Sequence, residues 1–238
     1  VLNSLCARHK YGLSATVHRS DGLIGATHAM LGEVMWRVPD EAIADKIMRV
    51  GIKPVGTGIP LSEECLRPDG TLDYIGLVTY LSQSAERNAL IVSNIIAERD
   101  HPCLILSDRL EHLHTLLEAL PLEMRIRAGL INGKMVSKKG RAEREFILKE
   151  MRDGRLQYLF ATYALAKEGL DIPRLERLFM ATPVKDEAVV IQSIGRIART
   201  CDGKQFPIAY DYVDSIRYCQ RAYNERVRHY KKIGATAV

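Results

Sequence analysis

Between residues 84 and 232 the chain alternates between stretches with apolar residues every three or four positions and shorter runs dominated by apolar residues. Ala85, Ala89, Val92 and Ile96 form a helical stripe within 84–99. Leu110, Leu113, Leu117 and Leu120 form another within 108–120, which Pro121 ends. A charged helix is predicted over 138–152, closed by Gly154, with further helices over 186–199 and 213–232. The last of these carries Ile216, Cys219, Tyr223, Val227 and Tyr230 on one stripe. The intervening runs at 103–106, 125–131, 156–161, 175–181 and 207–213 read as strands. Short apolar strands separated by amphipathic helices indicate an α/β fold, a parallel sheet covered by helices on both faces. Ligands of such sheets gather beyond the carboxyl ends of the strands. Ser107, Arg109, Thr162 and Asp171 fall just past predicted strand ends or in the loops that follow.

The first fifty residues are less regular. Residues 11–16 read as the end of a strand running into the polar turn Arg19-Ser20-Asp21-Gly22. Pro39-Asp40 reads as the start of a helix striped by Ile43, Ile47 and Val50 and closed by Gly51. Residues 52–59 are β-rich but broken by glycines, and Pro68-Asp69-Gly70 is a surface turn.

Composition narrows the class. The 238 residues are 47% hydrophobic and 26% charged, enough to bury a globular core. No apolar run approaches the roughly 20 residues needed to cross a bilayer, so no membrane partner is expected. The five cysteines are scattered without a C-x-x-C pair, which points to a reducing, intracellular and cytoplasmic setting. Cys6 and His9 have a metal-like spacing without a second pair, and His112 and His114 do not share a helix face, so no metal site is expected. The net charge of +5 is modest, but residues 125–155 hold ten Lys or Arg against four acids, and 217–232 hold six against Glu225 alone. Such runs suit a polyanion, or simply form solvated helix faces.

The most specific pattern is Gln192-Ser193-Ile194-Gly195-Arg196-Ile197-Ala198-Arg199. Arg196 and Arg199 are three apart and project the same way from a helix, while Gly195 leaves backbone bare between them. Two co-facing guanidiniums fit the equatorial oxygens of a transferring phosphoryl group. The plain alternative is a surface arginine pair.

Other segments stand in order around this one, and together they resemble superfamily-two helicases, in particular the XPB-type branch with related restriction and phage motors. Gly12-Leu13-Ser14-Ala15-Thr16 with Arg19-Ser20-Asp21-Gly22 is similar to motif III. Leu104-Ile105-Leu106-Ser107-Asp108-Arg109 is similar to motif IV, Ala161-Thr162 through Glu168-Gly169-Leu170-Asp171-Ile172-Pro173 to motif V, and the Gln192 segment, preceded by Ala181-Thr182-Pro183-Val184-Lys185, to motif VI. Val17 departs from the family, which has proline there. The resemblance implies a RecA-like second motor domain over 51–238, the tail of a first RecA-like domain over 1–30, and a linker over 31–50. It implies that Arg196 and Arg199 reach the γ-phosphate as arginine fingers, and that Gln192 orders the attacking water or the phosphate. Gly169, Asp171 and Gly195 then meet the nucleotide, Ser107, Arg109 and Thr162 hold nucleic-acid backbone, and Ser14 and Thr16 couple hydrolysis to movement. The partners implied are ATP with Mg²⁺, nucleic acid (DNA in preference to RNA), and an N-terminal RecA-like domain in cis.

A motor of this kind needs a phosphate-cradling G-x-x-x-x-G-K-[ST] loop. Gly129-Leu130-Ile131-Asn132-Gly133-Lys134-Met135 is one residue short between its glycines and has Met where a hydroxyl belongs. It is therefore rejected. ATP and Mg²⁺ are expected to be held mainly by residues preceding Val1, and the chain alone is expected to be inactive. The competing expectation is a nucleic-acid-binding module that keeps the fold without motor activity.

Overall fold

The computed structural model describes residues 6, 8–13, 23–39, 46–167 and 170–238. The chain divides into two compact units, Val1–Asp45 and Lys46–Val238. The described part of the first unit contains one helix, α1 (Ile24–Leu31). Tyr11–Leu13, expected to end a strand, is irregular, and residues 14–22 lie outside the described part.

The second unit is a parallel sheet. Its strands are β1 (Gly51–Gly56), β2 (Cys103–Ser107), β3 (Ala128–Ile131), β4 (Tyr158–Thr162), β5 (Arg177–Met180), β6 (Ile208–Val213) and β7 (Thr236–Ala237). They stand in the order β3-β4-β2-β5-β6-β1-β7, and every pairing is parallel. The helices are α2 (Tyr74–Gln83), α3 (Ala85–Ala97), α4 (Leu110–Glu118), α5 (Leu122–Arg125), α6 (Lys138–Arg152), α7 (Tyr163–Lys167), α8 (Glu187–Ile197) and α9 (Arg217–Lys232).

The two-residue period of the strands sorts side chains between two cores. Cys103, Ile105, Tyr158, Phe160 and Phe179 pack with Ile91, Ile95, Leu113, Leu116 and Met124 of α3, α4 and α5. Leu104, Leu106, Leu159, Leu178 and Met180 pack on the other face with residues of α6, α7, α8 and α9. This is the RecA-like α/β architecture expected, with both faces covered. Chain direction reverses between β2 and β5, since β2 leads through α4 toward β3 and β5 leads through α8 toward β6. The carboxyl ends of β2 and β5 therefore flank a topological switch point.

Local signals fix the ends of these elements. Ser84, Ser137 and Asp186 accept backbone N–H bonds in the first turns of α3, α6 and α8, and Gly154 follows α6 at φ +79.

Gly51 corrects the expectation for the N-terminal part. It opens β1 instead of closing a helix, and Lys46–Val50 belong to the second unit. A Cβ there would lie 2.7 Å from the Phe206 ring and 2.9 Å from Val238, so close packing selects glycine at this point. Residues 40–45 lie outside the described part.

A second correction concerns α3. Its expected stripe included Ala85 and Ala89, which are exposed, whereas Arg87, Asn88, Ile91, Val92 and Ile95 are buried. Polar residues turned inward explain the rotated phase. Arg87 Nε donates to Asp214 Oδ1 at 2.8 Å, Nη1 donates to the Ala181 carbonyl at 2.5 Å, and the Thr57 hydroxyl donates to the same carboxylate at 2.6 Å. Likewise one of the six cations of α9, Arg226, points inward to Asp211 (2.9 and 2.6 Å) and the Val184 carbonyl.

Breaking a buried ion pair leaves an uncompensated charge, which costs about 3–5 kcal/mol. Arg87→Met should therefore lower the unfolding free energy by that order in urea titrations. Arg87→Met combined with Asp214→Leu should cost clearly less than the two single losses added together. Additive losses would mean that the pair does not act as a unit.

Candidate functional site

The arginines of the Gln192–Arg199 segment occupy the last turn of α8 and the residue beyond its Ala198 cap. Gln192, Arg196 and Arg199 are spaced i, i+4 and i+7, so they lie along one stripe. α7 packs against α8, and the end of α7 together with Leu170 and Asp171 receives the two guanidiniums. Arg196 Nε donates to the Ala166 carbonyl at 2.8 Å and Nη1 to the Leu170 carbonyl at 3.2 Å. Burial and the neighbouring Arg199 charge lower the Arg196 pKa, although a guanidinium stays protonated at any ordinary pH.

Arg199 pairs with Asp171, whose side chain is 73% exposed. An ion pair this open to solvent contributes little stability, so replacing the carboxylate by another anion is inexpensive. The Gln192 side-chain carbonyl is buried without a hydrogen-bond partner, which leaves an acceptor available on the same stripe. Gly195 is exposed, with open space where a Cβ would stand. The expected grouping of Arg196, Arg199, Gln192, Asp171 and Gly195 is thus brought together on α8 and the 166–171 segment. Gly169 lies outside the described residues, as do Ser14 and Thr16.

A second group stands at the carboxyl ends of β2 and β4, where Ser107 and Thr162 are register partners. Ser107 corrects an expectation, because its side chain is fully buried and cannot touch a nucleic-acid backbone. Instead it belongs to a chain of hydrogen bonds. Asn88 Nδ2 donates to the Ser82 carbonyl at 2.8 Å, which turns Asn88 Oδ1 toward His112 Nε2, also at 2.8 Å. An amide oxygen only accepts, so Nε2 carries the proton and Nδ1 accepts from the Ser107 hydroxyl at 3.0 Å. Ser107 Oγ in turn accepts the Arg109 backbone N–H at 3.1 Å. Burial, then the nearby Arg87 charge, pushes the His112 pKa down to about 3, so the imidazole is neutral.

This network sets the loop that carries Arg109. Thr182 Oγ1 holds the other side of that loop by accepting the Asp108 N–H at 2.9 Å. The Arg109 side chain borders a cleft of about 570 Å³ with Ile75, Thr79, Gln83 and Thr115, and its Nε has no hydrogen-bond partner. Thr162 is half-buried at the same edge.

By loop position Asp171 was expected beyond a strand's carboxyl end, and by resemblance among the nucleotide contacts. The structure assigns it to Arg199, at the end of α8 from which the chain returns to the start of β6. The intervening turns of α7 carry the chain away from the strand end. The two groups therefore sit at opposite ends of the α8 crossover.

Residues 86–201 match the family model described as the helicase conserved C-terminal domain. The "probable helicase D10" of Escherichia phage T5 is 26% identical over 209 residues, covering 87% of this chain and 44% of its own length. The helicase-designated protein 161L of Invertebrate iridescent virus 6 is 27% identical over 234 residues, covering 95% of this chain and 50% of its own length. The fold is shared with T4 UvsW (TM-score 0.60, 16% identity, 91% of this chain and 44% of that one). It is also shared with S. cerevisiae Dbp5 in a structure bound to RNA and ADP BeF3 (TM-score 0.61, 15% identity, 94% and 50%). Residues 86–201 thus carry a match to the helicase conserved C-terminal domain, set in a RecA-like α/β fold. The chain spans about half the length of the curated relatives it matches, or less.

Lys204 was not singled out from the sequence, and His112 was weighed there only as a metal ligand. Only the position of His112 next to the Ser107–Arg109 loop could have flagged it. Lys204 has just the turn-forming Asp202-Gly203 before it.

The depressed His112 pKa has a consequence for stability. The unfolded chain binds a proton near pH 6.5 and the folded chain near pH 3. The contribution of this group is therefore complete above pH 6.5 and lost as pH falls through that window, by at most about 1.4 kcal/mol per pH unit. Urea titrations at pH 7 and pH 5 should show this loss, and it should be smaller in His112→Gln. Equal losses in both proteins would show that the imidazole is not held neutral.

Proposed function

We propose that this chain is the second motor half of an ATP-dependent nucleic-acid helicase or translocase, acting with a first RecA-like domain in cis. The observation that carries this reading is the convergence of Arg196 and Arg199 on the 166–171 segment, with Arg199 facing an exposed carboxylate. ATP supplies a phosphoryl group whose transfer to water develops negative charge on its oxygens. Arg199 exchanges Asp171 for those oxygens, and Arg196, anchored on two carbonyls, holds the segment against α8. Gln192 offers its free carbonyl as an acceptor for the attacking water. The first domain provides the Mg²⁺ and β-phosphate contacts, for which this chain has no fitting loop. Ser14, Thr16 and Gly169 are assigned by resemblance to coupling and nucleotide contact. Alone, the chain neither hydrolyses ATP nor moves.

The carboxyl-edge group holds nucleic acid through Arg109 and Thr162, with Ser107 supporting the loop from inside. Contacts of this kind reach phosphate and carry affinity without reading sequence. DNA is the preferred substrate in this reading, and because Dbp5 is bound to RNA in its structure, both polymers belong in the test.

In the full-length protein, Arg199→Ala should lower turnover by about 10³-fold or more with little change in ATP binding, as expected of an arginine finger. Single-turnover hydrolysis and nucleotide titration measure the two effects separately. An unchanged rate would reduce the arginine pair to surface decoration and favour a binding module without motor activity.

Arg109→Ala should reduce the log-log salt slope of binding by about 0.9 on duplex DNA, or about 0.7 on a single strand. Thr162→Val should weaken binding without changing the slope. Parallel titrations on DNA and RNA at several salt concentrations check both and identify the polymer. An unchanged slope in Arg109→Ala would place the phosphate contacts elsewhere.

A further inference from the structure

Arg199 lies just beyond the cap of α8, where no intrahelical hydrogen bond fixes the chain. Its main chain is nevertheless held from two sides. Met48 N–H donates to the Ala198 carbonyl at 2.6 Å and Thr200 N–H donates to the Lys46 carbonyl at 3.3 Å, which makes Ile47 and Arg199 partners in an antiparallel bridge. The Lys204 ammonium donates to the Arg199 carbonyl at 2.6 Å and to the Pro173 carbonyl at 2.8 Å.

Pro173 is two residues from Asp171, the partner of the Arg199 guanidinium. The contacts therefore close a ring from the Arg199 side chain to Asp171, along the chain to Pro173, through Lys204, and back to the Arg199 carbonyl. A turn directs the lysine into this ring, with Lys204 N–H bonded to the Cys201 carbonyl at 3.1 Å and Gly203 at φ +73, a conformation that favours glycine.

We propose that Lys204, together with the backbone of residues 46–48, is a positioning element for Arg199 and sets where its guanidinium can reach. The proposal rests on the assignment of Arg199 as the arginine finger. Two further features support it. The ammonium is more than half removed from water, and burial pushes its pKa down to about 8 although Glu176 opposes this, so placing it here carries a cost that a simple surface turn does not require. Its two acceptors also belong to different segments, one entering β5 and one leaving α8, so it fixes a relation between them and not only the shape of its own turn. The strap adds a directional element. Residues 46–48 lead directly into β1 and follow the first unit in sequence, so a pull on that segment acts on Ala198 and Thr200 through two hydrogen bonds.

A reactive group misplaced by about 1 Å can cost on the order of 100-fold in rate. Loss of one of several restraints should cost less, about 10-fold by the same reasoning. In the full-length protein Lys204→Met should therefore lower kcat about 10-fold while the ATP KM stays within about 2-fold, and Lys204→Arg should recover most of the loss. Combining Lys204→Met with Arg199→Ala should give a protein no slower than Arg199→Ala alone, because the lysine acts through the arginine. A Lys204→Met rate equal to wild type, or an additive double variant, overturns the positioning role. Arg199→Ala without effect instead overturns the finger assignment.

A second measurement needs no turnover. In the chain itself, Lys204→Met should shift the Arg199 side-chain NMR resonances and raise Thr200 amide exchange, while β5 amides remain protected. Unchanged Arg199 resonances and Thr200 exchange would leave Lys204 as a staple of its own turn and overturn the proposal.

Discussion

Arg87 heads the large side chains that are fully buried among the described residues, and its charge has to be answered inside the protein. Asp214 answers it from just beyond β6, the Ala181 carbonyl answers it from the end of β5, and the Thr57 hydroxyl donates to the same Asp214 Oδ1 from the end of β1. Three strand ends are thereby fixed from one point. Arg226 repeats the device on the opposite face, joining Asp211 within β6 to the Val184 carbonyl, with the Tyr230 hydroxyl as a further donor to Asp211. An isolated charge in this environment is far more costly than an unpaired polar group, so neither arginine can turn away without large loss. Together the two pairs bracket the segment 181–184. Thr182 in that segment receives the Asp108 N–H, so the loop carrying Arg109 takes its position from buried charges it never touches.

The same loop is held from its inner side by a neutral histidine. Arg87 contributes there as well, because its charge helps to keep His112 unprotonated. A protonated ring would have no acceptor at Nδ1, and the Ser107 hydroxyl would lose its present direction. The buried arginine thus fixes the far side of the loop and helps keep neutral the imidazole that fixes the near side. This network is polar and fully paired, so it specifies one geometry more sharply than apolar packing alone.

The sheet was legible in the sequence because its strands are short and apolar on both faces. The 103–106 run became β2, and Gly154 marked the end of α6 through the ordinary chemistry of a C-terminal cap. Periodicity failed where burial was polar. It set the stripe of α3 out of phase with the buried face, which includes Arg87 and Asn88, and it read Tyr223 and Val227 as the inner stripe of α9 where Ala222 and Arg226 are buried more deeply. α2 went unnoticed because Gly76 and Thr79 dilute its apolar pattern. Gly51 was read as a helix stop since nothing nearby in sequence reveals that Phe206 and Val238 crowd it. In the candidate site, the arginines of α8 could be read from spacing. Ser107 could not be read as an internal residue, because its burial depends on a histidine five positions later and an asparagine on another helix. The site-forming carbonyls of Ala166, Leu170 and Pro173 leave no trace in residue types at all.

The placement of the two groups bears on how the proposed motor half would work. They stand at opposite ends of the α8 crossover, so an anion at Arg199 and a phosphate at Arg109 do not share a pocket, and any coupling has to pass through structure. α8 is a direct route. Its C-terminal end carries the arginines, and its N-terminal cap, Asp186, follows the 181–184 segment held by Arg226 and Arg87. Burial of Val190, Ile194 and Ile197 ties the helix to the core along its length. The Arg199–Asp171 pair on this path is exposed and so weakly held, and the backbone clamp from residues 46–48 and Lys204 adjoins it. The domain thus concentrates its adjustable interaction at the one place where a transient anion is proposed to bind, and fixes the rest with buried charge and apolar packing. Compliance at that single point is what a part that responds to nucleotide requires.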